Sequence, residues 1–210
     1  MKFDAVIFDL DGVICFTDEY HYRAWKTMAD GMGIPFDRTI NNRLRGVSRM
    51  ASLEIILEQS PKMYSEAEKA ALAEEKNELY CYLLSRMSPA DLPDDVLSTL
   101  QALRSQGIKL AVGSSSKNTP YILERIGLGD FFDAVADGNC ITHSKPHPEV
   151  FLKAASMIGL NPNDCLVVED ARAGVEAAVE GGFECAAIGD ARDDKRAKWH
   201  LDRLSDLLKL

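Results

Sequence analysis

Asp9 and Asp11 stand one residue apart in the run FDLDGV (8–13), directly behind a short apolar stretch. Glu169 and Asp170 follow a second apolar stretch, CLVV, far along the chain. Converging carboxylates repel one another unless a cation sits among them, and an all-oxygen ligand set suits Mg²⁺. The chain also holds what an anionic substrate needs. Ser114 and Ser116 offer hydroxyls, Asn118 opens a helix, and Lys145 sits in the stiffened frame K-P-H-P. Two carboxylates at one site invite divided roles. Asp9, directly behind its strand, suits a nucleophile that forms an aspartyl phosphate. Asp11 suits the general acid and then base. Lys145 and the metal would offset charge on the transferring group.

These segments need a scaffold that brings them together. Residues 3–8 (FDAVIF) read as a buried strand. Three helical patterns follow, over 18–33, 49–59 and 65–87, and residues 17–87 read as all-helical. Pro89 and Pro93 mark a change of regime. Beyond them strands at 108–113, 132–136, 165–168 and 185–188 alternate with helices at 94–105, 118–127, 148–159 and 172–181. Alternating units of this length imply a parallel sheet covered on both faces. The expected fold class is therefore α/β: a Rossmann-like parallel-sheet core with a small all-helical cap inserted after the first strand. The core comprises residues 1–16 and 88–210, and the cap residues 17–87. Ligands of such sheets bind beyond the carboxyl ends of the strands. The segments DLDG, SSSKN and EDARAG all follow strands, and HSKPHP leads into a helix, so the four should meet.

Composition narrows the function. The 210 residues are 46% hydrophobic and 27% charged, as in an ordinary globular protein. A net charge of -9 argues against a nucleic-acid partner. No apolar run is long enough to span a bilayer, and the N-terminus lacks the features of a signal peptide, so a cytoplasmic protein with no membrane partner is expected. Cys15, Cys81, Cys140, Cys165 and Cys185 form no CxxC pair and read as free thiols. The four histidines, His21, His143, His147 and His200, suggest no His/Cys metal site.

The order and spacing of FDLDGV, Ser114, K-P-x-P (145–148) and VEDAxAG (168–174) resemble the four motifs of the haloacid dehalogenase superfamily. Its members include phosphatases, mutases, phosphonatases and dehalogenases. Within it, TDEYHYRAWK (17–26), LRGVSR (44–49), EKNELY (75–80) and SSSKNTPYILERI (114–126) are similar to the β-phosphoglucomutase branch. The resemblance implies Asp9 as nucleophile and Mg²⁺ ligand. It implies Asp11 as acid/base, with its carbonyl on the metal, Asp170 as a ligand and Glu169 beside it. Ser114 and Lys145 would hold the transferring phosphoryl group. Thr17 would lie in the hinge, and His21 and Lys76 would place substrate and acid/base. Gly46, Val47, Arg49, Ser116, Lys117 and Asn118 would bind the substrate, the last four forming the site of the non-transferring phosphate. A guanidinium suits that clamp because it grips phosphate with two hydrogen bonds. The implied substrate is a small sugar phosphate, with β-glucose 1,6-bisphosphate as activating intermediate. The alternative is a phosphatase built from the same parts, and a monomer is the default state. One departure stands out: Phe16 occupies a position where family members commonly carry an acidic residue.

Overall fold

Four consecutive apolar residues, Ala5–Phe8, form β1, and all four are fully buried. A strand buried on both faces belongs at the centre of a parallel sheet. In the computed structural model, which describes residues 2–210, that is its place. β1 lies between β2 (Lys109–Gly113) and β4 (Cys165–Glu169). With β3 (Ala134–Ala136), β5 (Glu184–Ala187) and β6 (Trp199–His200), the sheet runs β3-β2-β1-β4-β5-β6, with every pairing parallel.

Alternation along the strands divides the core between the two faces. Val6, Phe8, Leu110, Val112, Leu166 and Val168 pack with α5 (Asp94–Ser105), α6 (Thr119–Arg125) and the chain end near Leu204 and Leu207. Ala5, Ile7, Ala111, Val167, Cys185 and Ala187 pack with α7 (Glu149–Met157) and α8 (Arg172–Glu180).

Between β1 and α5 lie α1 (Asp18–Gly31), α2 (Arg38–Asn42), α3 (Arg49–Leu57) and α4 (Glu66–Leu84). They enclose their own apolar cluster, centred on Trp25, Met28, Phe36, Leu53 and Ile56. Local chemistry sets their starts. Ser48 and Ser65 accept from the backbone N–H three residues on, and Ser65 completes a reciprocal capping box with Glu68. The far end of α4 joins the sheet's own cluster through Tyr80, Leu83 and Leu84.

The elements expected from the sequence are present, with ends shifted by at most three residues. Apart from short 3-10 segments, one α-helix and one strand were not expected. α2 is a five-residue helix started by the Asp37 side chain, and β6 is a two-residue edge strand beyond β5. All five cysteines are free. No helix among the described residues is long and apolar enough to cross a membrane.

Candidate active site

Sheet register aligns the acidic segments. Phe8 pairs with both Val168 and Val112, so the next residues, Asp9, Glu169 and Gly113, leave the sheet side by side. The Asp9 N–H donates to Val168 O at 2.9 Å, which ties the first acidic segment to the second. Gly12 then turns at φ +89°, a backbone that favours glycine. A Cβ there would lie 2.1 Å from the Asp170 carboxylate, so the turn can come this close only without a side chain.

Asp9, Glu169 and Asp170 form one buried group, with carboxylate oxygens within 4.8 Å of one another. Lys145 stands among them with its side chain fully buried. It donates to Asp9 Oδ1 and, at 2.7 Å, to Glu169 Oε2. Glu169 is further held at Oε1 by the N–H groups of Asp170 (3.0 Å) and Ala171 (2.9 Å). Both its oxygens are thus engaged, leaving Asp9 and Asp170 as the more open donors on the cavity wall.

One ammonium does not balance three carboxylates. Burial raises Asp9 to about 8, with Lys145 opposing and Glu169 and Asp11 adding to the rise. Burial, then Glu169 and Asp9, push Asp170 to about 9. Burial alone would lower Lys145, but Asp9 and Glu169 hold its ammonium above the ordinary lysine value. An oxygen-only, under-neutralised cluster of this kind fits a hard divalent cation.

Asp11 has a different setting. Burial raises its carboxyl, while a hydrogen bond from the Thr17 hydroxyl opposes the rise. Thr17 is itself buried at the start of α1 and accepts from the Tyr80 hydroxyl at 3.1 Å. Asp11 is thereby joined to both α1 and α4.

A cavity of about 570 Å³ opens between the sheet end and the helical segment. Asp9, Asp11, Asp170 and Ser114 line it from the sheet side. Ser116, Lys117 and Asn118 follow from the turn after β2, where the Ser114 and Ser116 hydroxyls accept the N–H groups of Ser116 and Asn118, each at 3.2 Å. From the helices come His21, Arg49 and Lys76, with Gly46 and Val47 from the loop before α3. Lys145, Glu169 and Thr17 stand behind this wall. Each touches a residue that lines it or, for Glu169, adjoins one. Phe16 is exposed at the lining.

Some site residues were not read from the sequence. Trp25 and Tyr80 cradle Lys76, whose Nζ lies 4.6 Å and 4.3 Å from their ring centroids. His21 stacks on Tyr80 at 4.0 Å. The available signal was helical spacing, because His21 and Trp25, like Lys76 and Tyr80, stand four apart and share a helix face. Arg45 pairs with Asp190 and lies 3.7 Å from Asp170 and 3.6 Å from Asp18. Asn118 Nδ2 donates to Asn77 Oδ1 at 3.0 Å, a second link from the sheet side to α4.

The model of the haloacid dehalogenase-like hydrolases matches residues 3–182. The chain belongs to this haloacid dehalogenase-like family. Within the family it is 42% identical to β-phosphoglucomutase of Bacillus subtilis, over 97% of this chain and 91% of that one. The crystal structure of β-phosphoglucomutase from Clostridium difficile superposes with a TM-score of 0.92 at 40% identity, covering 98% of this chain and 93% of that one. A phosphorylated carbohydrates phosphatase of Thermotoga maritima is 32% identical over 86% of this chain and 82% of that one. Haloacid dehalogenase-like relatives named for more than one reaction thus match this chain, and the Bacillus and Clostridium mutases match it at higher identity than the Thermotoga phosphatase.

Proposed function

We propose that this enzyme is a β-phosphoglucomutase, an intramolecular phosphotransferase that interconverts β-glucose 1-phosphate and glucose 6-phosphate through β-glucose 1,6-bisphosphate. The observation that carries the reading is that one cavity gathers two sets of anion-holding groups. The first is the acidic centre with Ser114, backed by Lys145. The second is Arg49 with the Ser116–Asn118 turn. A monophosphatase needs only the first. A mutase whose intermediate carries two phosphates needs both, and the mutase relatives at 42% and 40% identity support the choice.

In this reading, phosphorylated Asp9 gives its phosphoryl group to the sugar 6-hydroxyl while Asp11 takes the hydroxyl proton. The bisphosphate then turns over in the cavity. The Asp9 carboxylate attacks the phosphorus on C1, the P–O bond to the sugar breaks, and Asp11 returns the proton to the leaving oxygen. Ser114 and Lys145 hold the group in transit, and Arg49, Ser116, Lys117 and Asn118 hold the phosphate at rest. Gly46 and Val47 face the sugar. The side chains of Asp9 and Asp170 and the carbonyl of Asp11, with Glu169 behind, would hold Mg²⁺. When bound it neutralises charge on the transferring group. Residues 17–87 act as a cap that closes on the core of 1–16 and 88–210. Thr17 and His21 couple closure to Asp11, and closure keeps water from the aspartyl phosphate. The working form is a cytoplasmic monomer whose partner is a small sugar phosphate.

A phosphorus NMR time course with β-glucose 1-phosphate, Mg²⁺ and a trace of the bisphosphate tests the reading. Growth of glucose 6-phosphate with little inorganic phosphate is expected. Growth of inorganic phosphate instead would make the enzyme a phosphatase.

A further inference from the structure

The loop that carries Lys145 has a second chemical face. Its inner side delivers Lys145 to the acidic centre. Its outer side carries His143 and His147, one two residues before the lysine and the other two after it. The sequence suggested no histidine metal site, although His143 and His147 stand four residues apart, with Pro146 between them ruling out the helix that usually makes such a spacing converge. The fold brings them together by another route. The His147 N–H donates to Ser144 O at 3.1 Å and closes a turn, and the two rings face each other with centroids 4.7 Å apart. Glu149, the first residue of α7, completes the group. One nitrogen from each imidazole and one Glu149 oxygen lie within 4.8 Å of one another.

The carboxylate is held in place by the chain itself. Glu149 Oε1 accepts the N–H of Thr142 at 3.0 Å, and Oε2 accepts the N–H of His143 at 2.8 Å. His143 Nδ1 is 3.2 Å from Oε2. With Nδ1 unprotonated, that separation is close to the spacing of two donors on one tetrahedral ion. His147 Nδ1 has only a 3.3 Å contact from the Glu149 N–H. Lys153 lies 3.5 Å from the other carboxylate oxygen, Oε1. The adjoining recess also receives Glu176 and Glu180 from α8, so its surroundings are acidic.

We propose that His143, His147 and Glu149 bind a borderline-soft divalent cation of the zinc class, at a site separate from the acidic centre. Imidazole nitrogen is a poor partner for Mg²⁺ and a good one for Zn²⁺. Tetrahedral Zn²⁺ with bonds of about 2.0–2.1 Å sets its donors about 3.3 Å apart. The required contraction is within reach of χ rotation, because both imidazoles are exposed. Water or a carboxylate from α8 fills the remaining positions. The ligands bracket Lys145, so occupancy ties down the segment that presents this lysine to the acidic centre.

The test is calorimetric titration of the intact protein with Zn²⁺ in saturating Mg²⁺. It is repeated on the His143→Ala/His147→Ala double variant, on Glu149→Gln and on Asp170→Asn. The wild type should bind one Zn²⁺. The double variant should lose roughly 100-fold or more in affinity, and Glu149→Gln about 10–100-fold. Asp170→Asn should bind as the wild type does. Imidazole nitrogen shifts confined to His143 and His147 on Zn²⁺ addition would locate the ion independently of any effect on folding. Unchanged binding in the double variant, or loss only in Asp170→Asn, would overturn the site.

Discussion

Nζ of Lys76 lies 2.9 Å from Nδ1 of His21 on the cavity wall. Two basic side chains thus share one part-buried hydrogen bond, under the rings of Trp25 and Tyr80. Burial, then the charge of Arg49, bring Lys76 down to about 7. Burial, then Lys76 and Arg49, keep His21 well below its usual value. This favours the neutral imidazole, whose Nδ1 can accept from Lys76 Nζ.

This pair sets a pH dependence. From about 7 up to the ordinary 10.5, folded Lys76 binds fewer protons than it does in the unfolded chain. His21 acts with the same sign below 6.5. Stability contributed by both groups therefore rises with pH across these windows. Urea denaturation in saturating Mg²⁺ should show wild type gaining on Lys76→Met between about pH 7 and about pH 10. A constant difference between the two proteins would mean that Lys76 titrates normally.

Asp9→Asn removes the proposed nucleophile while keeping its size. Turnover should fall by at least about 10³-fold, as when the nucleophile of a covalent mechanism is removed. Incubation with labelled bisphosphate should label the wild-type protein and leave the variant unlabelled. Label on the variant would move the nucleophile elsewhere.

Asp170 tests the proposed metal centre without touching the proposed nucleophile. At 100 times its dissociation constant, Mg²⁺ should add about 2.7 kcal/mol of stability, or roughly 5–10 °C in Tm. Asp170→Asn should lose most of that increment. Without Mg²⁺ it should melt close to wild type, because the substitution also relieves carboxylate crowding against Glu169 and Asp9. Scanning calorimetry of both proteins, with Mg²⁺ and with chelator, checks this.

Arg49 pairs at 3.3 Å with Glu74, which also lines the cavity. Arg49→Ala should raise KM for β-glucose 1-phosphate and the half-saturating bisphosphate concentration by about 10–100-fold, the value of charge-assisted hydrogen bonds to phosphate. Hydrolysis of a small artificial monophosphate should change far less. Equal losses on both substrates would remove Arg49 from the distal clamp.

Gly174 tests how tightly the lysine frame is packed. A Cβ there would lie 1.8 Å from Glu169 Oε2, the oxygen that accepts from Lys145. Gly174→Ala must displace a buried carboxylate and should cost about 1–3 kcal/mol as an overpacked substitution. Denaturant unfolding gives the loss, and kcat should drop with it because Lys145 loses one of its two anchors.

Much of the chemistry was legible in the chain. Asp9, Asp11, Glu169, Asp170 and Ser114 sit where an apolar strand gives way to polar residues, and burial of a central parallel strand leaves a plain hydrophobic run. Those signals are local, so they survive without coordinates. The same holds for Ser48 and Ser65, whose capping bonds span only three residues. α2 and β6 gave too little signal. One has a single apolar residue in five, and the other is two residues at a sheet edge.

The tertiary structure decided what the strand ends do to each other. Register places Asp9 beside Glu169 and sends Lys145, from 136 residues away, into both carboxylates. No pattern along the chain encodes that both Glu169 oxygens are already engaged, leaving Asp9 and Asp170 open. Nor does any encode Trp25 and Tyr80 around Lys76, or His143 against His147 across a proline turn. Residue types and their order fix which chemistry is available. Burial and distance fix which carboxylate keeps a proton and which lysine loses one, and they exist only once separate segments share a low-dielectric space.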